Sequence, residues 1–205
     1  MRVAPRAVIF DVGRVLFDWN LRFLYERLIP EGEALDAFLR NVVTPEWHFQ
    51  HDAGRPFTET SAELIADYPE HAEAIRALHP RFNETIGPAM PGMAQLVADL
   101  DGAGVPLYAI TNFSGEFWPP FRAREAAFFA PFRDVVVSGD EKLTKPDAAI
   151  YCLALDRFGL KAEEAVFVDD NAANVAGANA VGIHELLFDG EPHLRIDLRA
   201  LGLAV

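Results

Sequence analysis

A single cysteine, Cys152, stands in 205 residues, so no intrachain disulfide can brace the fold. It falls in the apolar stretch Ala149-Ile150-Tyr151-Cys152-Leu153 and reads as an inert core thiol. Basic residues are scarce too: Lys plus Arg total 18 against 31 acids, a net charge of −13. A nucleic-acid backbone demands a basic footprint, so nucleic acid is excluded as a partner. The same charge disfavours anionic membrane surfaces. No apolar run reaches the roughly 18 residues of a membrane span, and the first one, Ala7 to Phe10, is too short for a signal peptide. A soluble, cytoplasmic protein is the expectation.

What is present has the balance of a packed globular chain, 51% hydrophobic and 24% charged, which is the reverse of disorder. Ala7-Val8-Ile9-Phe10 is continuously apolar, as a strand buried on both faces requires, and Asp11-Val12-Gly13 ends it. Val105 to Ile110, Val135 to Val137 and Ala165 to Val168 repeat the pattern, and His184 to Phe188 does so more weakly. Helical patterns lie between them: from Pro91 with Leu96, Val97 and Leu100 on one face, from Asp147 to Phe158 before Gly159, and from Asn171 to Val181 before Gly182. Strand and helix in alternation imply an α/β fold, a parallel sheet wrapped on both sides, with active residues at the carboxyl ends of its strands.

Residues 18 to 87 break the alternation. Leu21, Leu24, Tyr25 and Leu28 recur at helical spacing, as do Leu35, Phe38, Leu39 and Val42, then Ala62, Leu64, Ile65 and Ile75, with no strand-like run among them. This predicts a helical subdomain, 18–87, inserted into a core of 1–17 and 88–205.

Four polar clusters fall at predicted strand or helix ends: Asp11-Val12-Gly13, Thr111-Asn112, Lys145-Pro146, and Asp169-Asp170 with Asn174 four residues beyond Asp170. Singly, each reads as a turn or a helix cap. Jointly, they would meet at one sheet edge. Phosphoryl transfer needs a nucleophile, a charge clamp and a metal. Asp11 can attack phosphorus and carry an acyl-phosphate. The Thr111 hydroxyl and the Asn112 backbone N–H can hold phosphate oxygens, and Lys145 gives a fixed positive charge. Asp11 and Asp170 are hard oxygen ligands suited to Mg²⁺. Asp11, Asp169 and Asp170 against Lys145 leave the pocket negative, so a phosphate dianion needs that metal.

The segments FDVGRVL (10–16), ITN (110–112), SGDEKLTKP (138–146) and FVDDNAANVAGA (167–178) resemble, in order and spacing, the haloacid dehalogenase superfamily, in the branch with a helical cap after the first strand. The resemblance implies a Rossmann-like five-stranded sheet of order 3-2-1-4-5. It implies Asp11 as nucleophile, Thr111 and Asn112 as phosphate holders, Lys145 as charge clamp, and Asp170 as principal Mg²⁺ ligand. Asp169 becomes an auxiliary ligand, the backbone carbonyl of Gly13 a further one, and Asn174 an orienting residue. The partner implied is a small phosphorylated metabolite, a sugar phosphate or similar.

One position departs from the pattern. Phosphatases of the family usually place a second Asp two residues after the nucleophile as general acid and base, and here Gly13 stands there. That help is worth roughly 10²–10⁴-fold in rate. Asp18 is the candidate replacement, its alternative being the N-cap of the first inserted helix. Gly13 itself reads as a tight turn with positive φ. Bacterial sugar-1-phosphate phosphatases, which the chain also resembles, share the Asp-x-Gly form. Without an acid, esters with leaving groups of low pKa are expected to outperform alkyl esters.

The segment 45–55 of the insert offers Trp47, Gln50, Asp52 and Arg55 as substrate contacts, Gly54 as a hinge, and Phe49 as insert core. Phe113 and Trp118 are expected to pack against the insert. Two other functions stay open. A 2-haloacid dehalogenase also begins with Asp attack and lacks the second Asp, but needs no metal and usually carries Tyr at the place of Gly13; the Asp169-Asp170 pair opposes it. A degenerate, non-catalytic binding protein rests on Gly13 alone.

Overall fold

The computed structural model describes residues 4–205. Strand β1 (Ala7–Phe10) has no solvent exposure at any of its four residues. Val8 and Phe10 join one hydrophobic cluster and Ala7 and Ile9 another, so the continuous apolar run serves two packed faces. Each such Val, Ile or Phe contributes about 1.5–3 kcal/mol by burial.

The chain then runs through β2 (Phe17–Trp19), α1 (Arg22–Tyr25), α2 (Glu33–Asn41), α3 (Pro45–Asp52), α4 (Phe57–Asp67), α5 (Ala72–Arg81) and β3 (Ile86–Ala89). It continues with α6 (Met93–Gly102), β4 (Leu107–Thr111), α7 (Trp118–Arg124), β5 (Phe132–Val137), α8 (Ser138–Glu141) and α9 (Ala148–Phe158). Strand β6 (Ala165–Asp169), α10 (Ala172–Ala180), β7 (His184–Leu187) and α11 (Glu191–Ala200) complete it. The main sheet has five strands in the order β5-β4-β1-β6-β7, every neighbouring pair parallel. Numbered among themselves, these strands run 3-2-1-4-5, the expected Rossmann-like order. Helices cover both faces: Leu96 and Leu100 of α6 and Leu194 and Leu198 of α11 pack on one, Ile150 and Tyr151 of α9 and Ala178 of α10 on the other.

The sequence shows no trace of the second sheet. Strands β2 and β3 form an antiparallel ribbon pairing Phe17 with Ala89 and Trp19 with Ile86, and the five helices α1–α5 lie between them in sequence. Asp18 therefore sits mid-strand and does not cap a helix; Asn20 Oδ1 accepts the Arg22 N–H at 2.9 Å instead. Three other expectations change. Gly13 does not have a positive φ; its neighbour Arg14 does, at 60°. Phe49 is exposed rather than insert core. Cys152 is also exposed, because α9 buries Ile150, Tyr151, Ala154 and Phe158 and residue 152 faces away from that stripe.

The inserted helices dock onto the core at the carboxyl ends of the strands. The Ser138 hydroxyl donates to the Asp52 carbonyl at 2.6 Å, and the Phe57 N–H donates to Glu116 Oε1 at 3.2 Å. Gly54, at φ 88°, lies so close to Gly139 that a Cβ there would sit 2.8 Å from the Gly139 carbonyl oxygen. A side chain at this position would push α3 off the core. No helix among the described residues is long and apolar enough to cross a membrane.

Candidate active site

Asp11 follows β1 directly, at the centre of the sheet, and its backbone N–H donates to the Val168 carbonyl of neighbouring β6 at 2.8 Å. Its carboxylate Oδ1 accepts the Val12 N–H at 2.7 Å and faces Lys145 Nζ at 2.8 Å. The same ammonium reaches Asp169 Oδ2 at 2.7 Å. Asp169 ends β6, is fully buried, and accepts from Asn174 Nδ2 at 3.1 Å and 3.0 Å through its two oxygens. It also accepts the Asn171 N–H at 2.8 Å. Asn174 is in turn held by Tyr151, whose hydroxyl donates to its carbonyl at 2.7 Å. Asn174 is thus linked to the lysine through Asp169.

Asn112 is tied to the lysine in a way the sequence does not reveal. Its Oδ1 accepts the Lys145 backbone N–H at 2.9 Å and its Nδ2 donates to the Lys145 carbonyl at 3.0 Å. This two-way bond fixes the Lys145 segment against the end of β4. Thr111, the last residue of that strand, is buried beside it.

The electrostatics follow from crowding. Lys145 is buried, which opposes its charge, yet Asp11 and Asp169 hold it protonated and raise it above the ordinary lysine value. Burial pushes the Asp11 carboxyl up to about 7, against the pull of Lys145 and with the charge of Asp169 adding to the rise. Asp170 is raised by burial and then by Asp169, while Arg14 pulls it down. One oxygen each from Asp11, Asp169 and Asp170 lie within 4.8 Å of one another. Three carboxylates against one ammonium, with hard oxygen donors converging, fit a divalent cation such as Mg²⁺. Asp11 and Asp170 are the ligands best placed for it, since both Asp169 oxygens already accept hydrogen bonds.

A cavity of about 200 Å³ opens over this cluster. Asp11, Gly13, Asn112, Asp170 and Asn174 form its floor, while Arg14, Phe17, Trp19, His48, Asp52, Phe82, Ile86, Phe113 and Phe121 form its walls. Among the predicted contacts, the structure brings Asp52 to the cavity; Phe113, expected to pack against the insert, packs on Phe82 and also lines the cavity. The structure does not bring Asp18, Trp47, Gln50 or Arg55 there. Trp47 packs inside the insert, its Nε1 donating to the Thr60 carbonyl at 3.2 Å. Arg55 is paired with Gln50 and with Glu63. Trp118 packs on Phe113, Phe121 and Phe129. The residues the sequence did not disclose are Arg14, Trp19, His48, Phe82 and Ile86. Trp19 stacks on His48 at 5.1 Å between ring centres, and the Arg14 guanidinium lies 5.5 Å from the Trp19 ring.

Asp52 is the unusual member. It ends α3, is buried, and sits 3.8 Å from His48 Nε2. Burial, then the charge of Asp11, push its carboxyl up to about 8, against the pull of Lys145 and a bond from the Ser114 backbone. Burial holds His48 neutral, down at about 3, so it offers no counter-charge. A raised carboxyl stabilises the fold fully below its unfolded pKa near 3.9, and that contribution is lost as pH rises towards about 8. Asp52→Asn lacks this loss. Its stability relative to the parent is therefore expected to climb between pH 4 and 8, at up to about 1.4 kcal/mol per pH unit, and to level off above, with the melting temperature following. Thermal melts across that range check it; a constant difference refutes it.

A sheet of this order with a carboxylate–lysine–carboxylate cluster beyond β1 defines the class: an α/β hydrolase core with an insertion after its first strand. Residues 5–182 match the haloacid dehalogenase-like hydrolase family, and the chain belongs to it. It is similar to hexitol phosphatase A of Escherichia coli, at 35% identity over 87% of this chain and 81% of that one. It is also similar to the sesquiterpene phosphatase astK of Aspergillus oryzae, at 30% identity over 87% of both. The mouse acyl-CoA dehydrogenase family member 10 is 27% identical over 96% of this chain, which spans only 19% of that protein's length. A solved structure of a family enzyme from Bacteroides thetaiotaomicron, in complex with magnesium and inorganic phosphate, shares the fold. Its TM-score is 0.68 at 16% identity, covering 93% of this chain and 98% of that one.

Proposed function

We propose that this chain is a magnesium-dependent phosphatase that cleaves a small phosphate monoester through an aspartyl-phosphate on Asp11. The observation that carries the reading is the single ammonium of Lys145 shared by Asp11 and Asp169 at 2.8 and 2.7 Å, with Asp170 beside them on the cavity floor. Asp11, Asp170 and the Gly13 carbonyl, with Asp169 in support, would hold Mg²⁺, and the ion would supply the positive charge that admits a phosphate dianion and offsets charge in the transition state. The Asp11 carboxylate attacks phosphorus while Thr111, the Asn112 N–H and Lys145 hold the non-bridging oxygens. The leaving group departs, and water then cleaves the acyl-phosphate. The magnesium–phosphate complex of the Bacteroides relative and the two phosphatase relatives support this reading.

The helices of 18–87 act as a cap that excludes water and shapes the leaving-group side. The walls there are largely aromatic, with Trp19, Phe82 and Phe113 facing the floor. Such walls suit a leaving group with an apolar face, a pyranose or another ring of that size. A departing halide, by contrast, would meet Asp170 and no anion-binding donor on the walls other than Arg14, so the dehalogenase reading has little to stand on.

The experiment measures phosphate release from p-nitrophenyl phosphate and a panel of hexose and hexitol phosphates, with Mg²⁺ and with EDTA. Halide release from 2-chloropropionate is run beside it. Release of phosphate that needs Mg²⁺ is expected. Metal-independent halide release, or no phosphate release from any ester, would overturn the reading.

A further inference from the structure

We propose that Asp52, delivered by helix α3 of the insert, is the general acid and base that position 13 does not provide. This rests on the phosphatase reading. Five residues on the cavity surface carry ionisable side chains: Asp11, Arg14, His48, Asp52 and Asp170. Asp11 is the nucleophile and Asp170 belongs to the cation site. Arg14 cannot give up a proton at any working pH. His48 is buried, neutral, and stacked on Trp19 and Phe82. Asp52 alone remains with a proton to give.

Its surroundings suit the task. The carboxyl faces His48 on its own helix, Asp11 beyond β1 and Lys145 ahead of α9, with the Ser114 backbone beside it. It lines the same cavity as Asp11 and Asp170, and burial favours its protonated form, the form a general acid needs before attack. The Ser138 bond to its carbonyl and the close Gly54–Gly139 contact fix the end of α3 against the core. The acid is therefore in place only while the insert is docked.

The proton accounting closes. As the Asp11 oxygen bonds to phosphorus and the ester P–O bond breaks, the leaving oxygen takes the Asp52 proton. Water then attacks phosphorus, the bond to Asp11 breaks, and Asp52 takes the water proton. One ester and one water become one alcohol and one phosphate, with both carboxyls restored. The preference for leaving groups of low pKa, expected of an enzyme lacking an acid, then moves from the parent to its Asp52 variant.

The test is kcat/KM of the parent and Asp52→Asn on 2,4-dinitrophenyl phosphate, whose leaving group needs no proton, and on an alkyl or sugar phosphate, whose leaving group does. The variant is expected to lose on the order of 10²–10⁴-fold on the alkyl ester and less than about tenfold on the dinitrophenyl ester. It should also release a first equivalent of dinitrophenolate as a burst, because return of the base-assisted second step is slowed. Asp52→Ser, smaller and uncharged, repeats the measurement should the amide perturb α3. Equal losses on both esters would show a binding or packing role and overturn the proposal, as would no loss on either. A parent that releases phosphate from neither ester sinks the phosphatase reading instead.

Discussion

Asp11→Asn is expected to abolish phosphate release, by on the order of 10⁴-fold or more, while leaving the fold as stable as the parent or more so. The first half follows from chemistry: an amide oxygen does not form a hydrolysable acyl-phosphate at a useful rate. The second follows from the crowding of charge. Asp11 is buried, and its carboxyl is pushed up to about 7 although Lys145 stands 2.8 Å away, because burial outweighs the pull of an ammonium it shares with Asp169. Asparagine keeps an oxygen for the Val12 N–H and for Lys145 and removes one of three mutually repelling charges. Activity and melting temperature should thus move in opposite directions, the signature of a site that holds strain for function. Rate assays beside thermal melts at pH 8, without divalent cations, check it. A variant that loses activity and stability together would mean that Asp11 serves the fold first.

The parts of this site that the sequence discloses are those carried by strands. Ala7 to Phe10 and Ala165 to Val168 are apolar without a break because both faces of their sheet are covered, and the acids that end them mark the strand ends. The runs alone put Asp11 and Asp169 at strand ends; that the two strands are neighbours is what the family resemblance implies and the parallel β1–β6 pairing shows. The ribbon of β2 and β3 is silent because each strand is only three or four residues long, and one holds Gly87 and Pro88. Alternation cannot be read over so few positions.

The cavity walls are silent for another reason. Trp19, His48, Phe82 and Phe113 lie far apart in sequence and meet only through packing of the insert on the core. Helix α3 inverts the usual pattern outright. It buries Trp47, His48, His51 and Asp52 and exposes Phe49. Polar residues at i and i+4 make the inward face because it lines the cavity and the insert interior, with His51 Nε2 on Thr60 Oγ1 at 2.6 Å. A reading based on hydrophobic periodicity therefore assigns Phe49 to the core and leaves Asp52 as one polar residue among several. Asp18 illustrates the opposite error. It is near Gly13 in sequence, but its strand neighbours Phe17 and Trp19 line the cavity, so alternation turns residue 18 to the opposite face, and the carboxyl that reaches the cavity comes from a helix 34 positions further on.

Lys145→Met is expected to cost both activity and stability, and the stability loss should depend on pH in a definite sense. Among the described residues, Lys145 is the one cation in contact with two buried carboxylates, at 2.8 and 2.7 Å, with its own side chain 1% exposed. Methionine conserves most of the volume and removes the charge, so packing changes little and the electrostatic consequence is isolated. Deleting one partner of a buried ion pair costs about 3–5 kcal/mol because the surviving charge is left uncompensated. Here two charges survive. Without the ammonium nothing opposes the rise that burial imposes on Asp11, so its folded-state pKa stands further above the unfolded one. Its contribution to stability is then present below the unfolded value near 3.9 and is lost as pH rises through the folded value. The deficit relative to the parent should be small near pH 4 and grow towards pH 8. Mg²⁺ should restore part of it, since a cation held by the same carboxylates binds the folded state alone. Activity should not return with the metal, because the clamp on the phosphate oxygens is gone. Denaturant melts at several pH values, with and without Mg²⁺, decide the matter; a deficit that is flat with pH and blind to the metal would show that Lys145 matters for its packing and not for its charge.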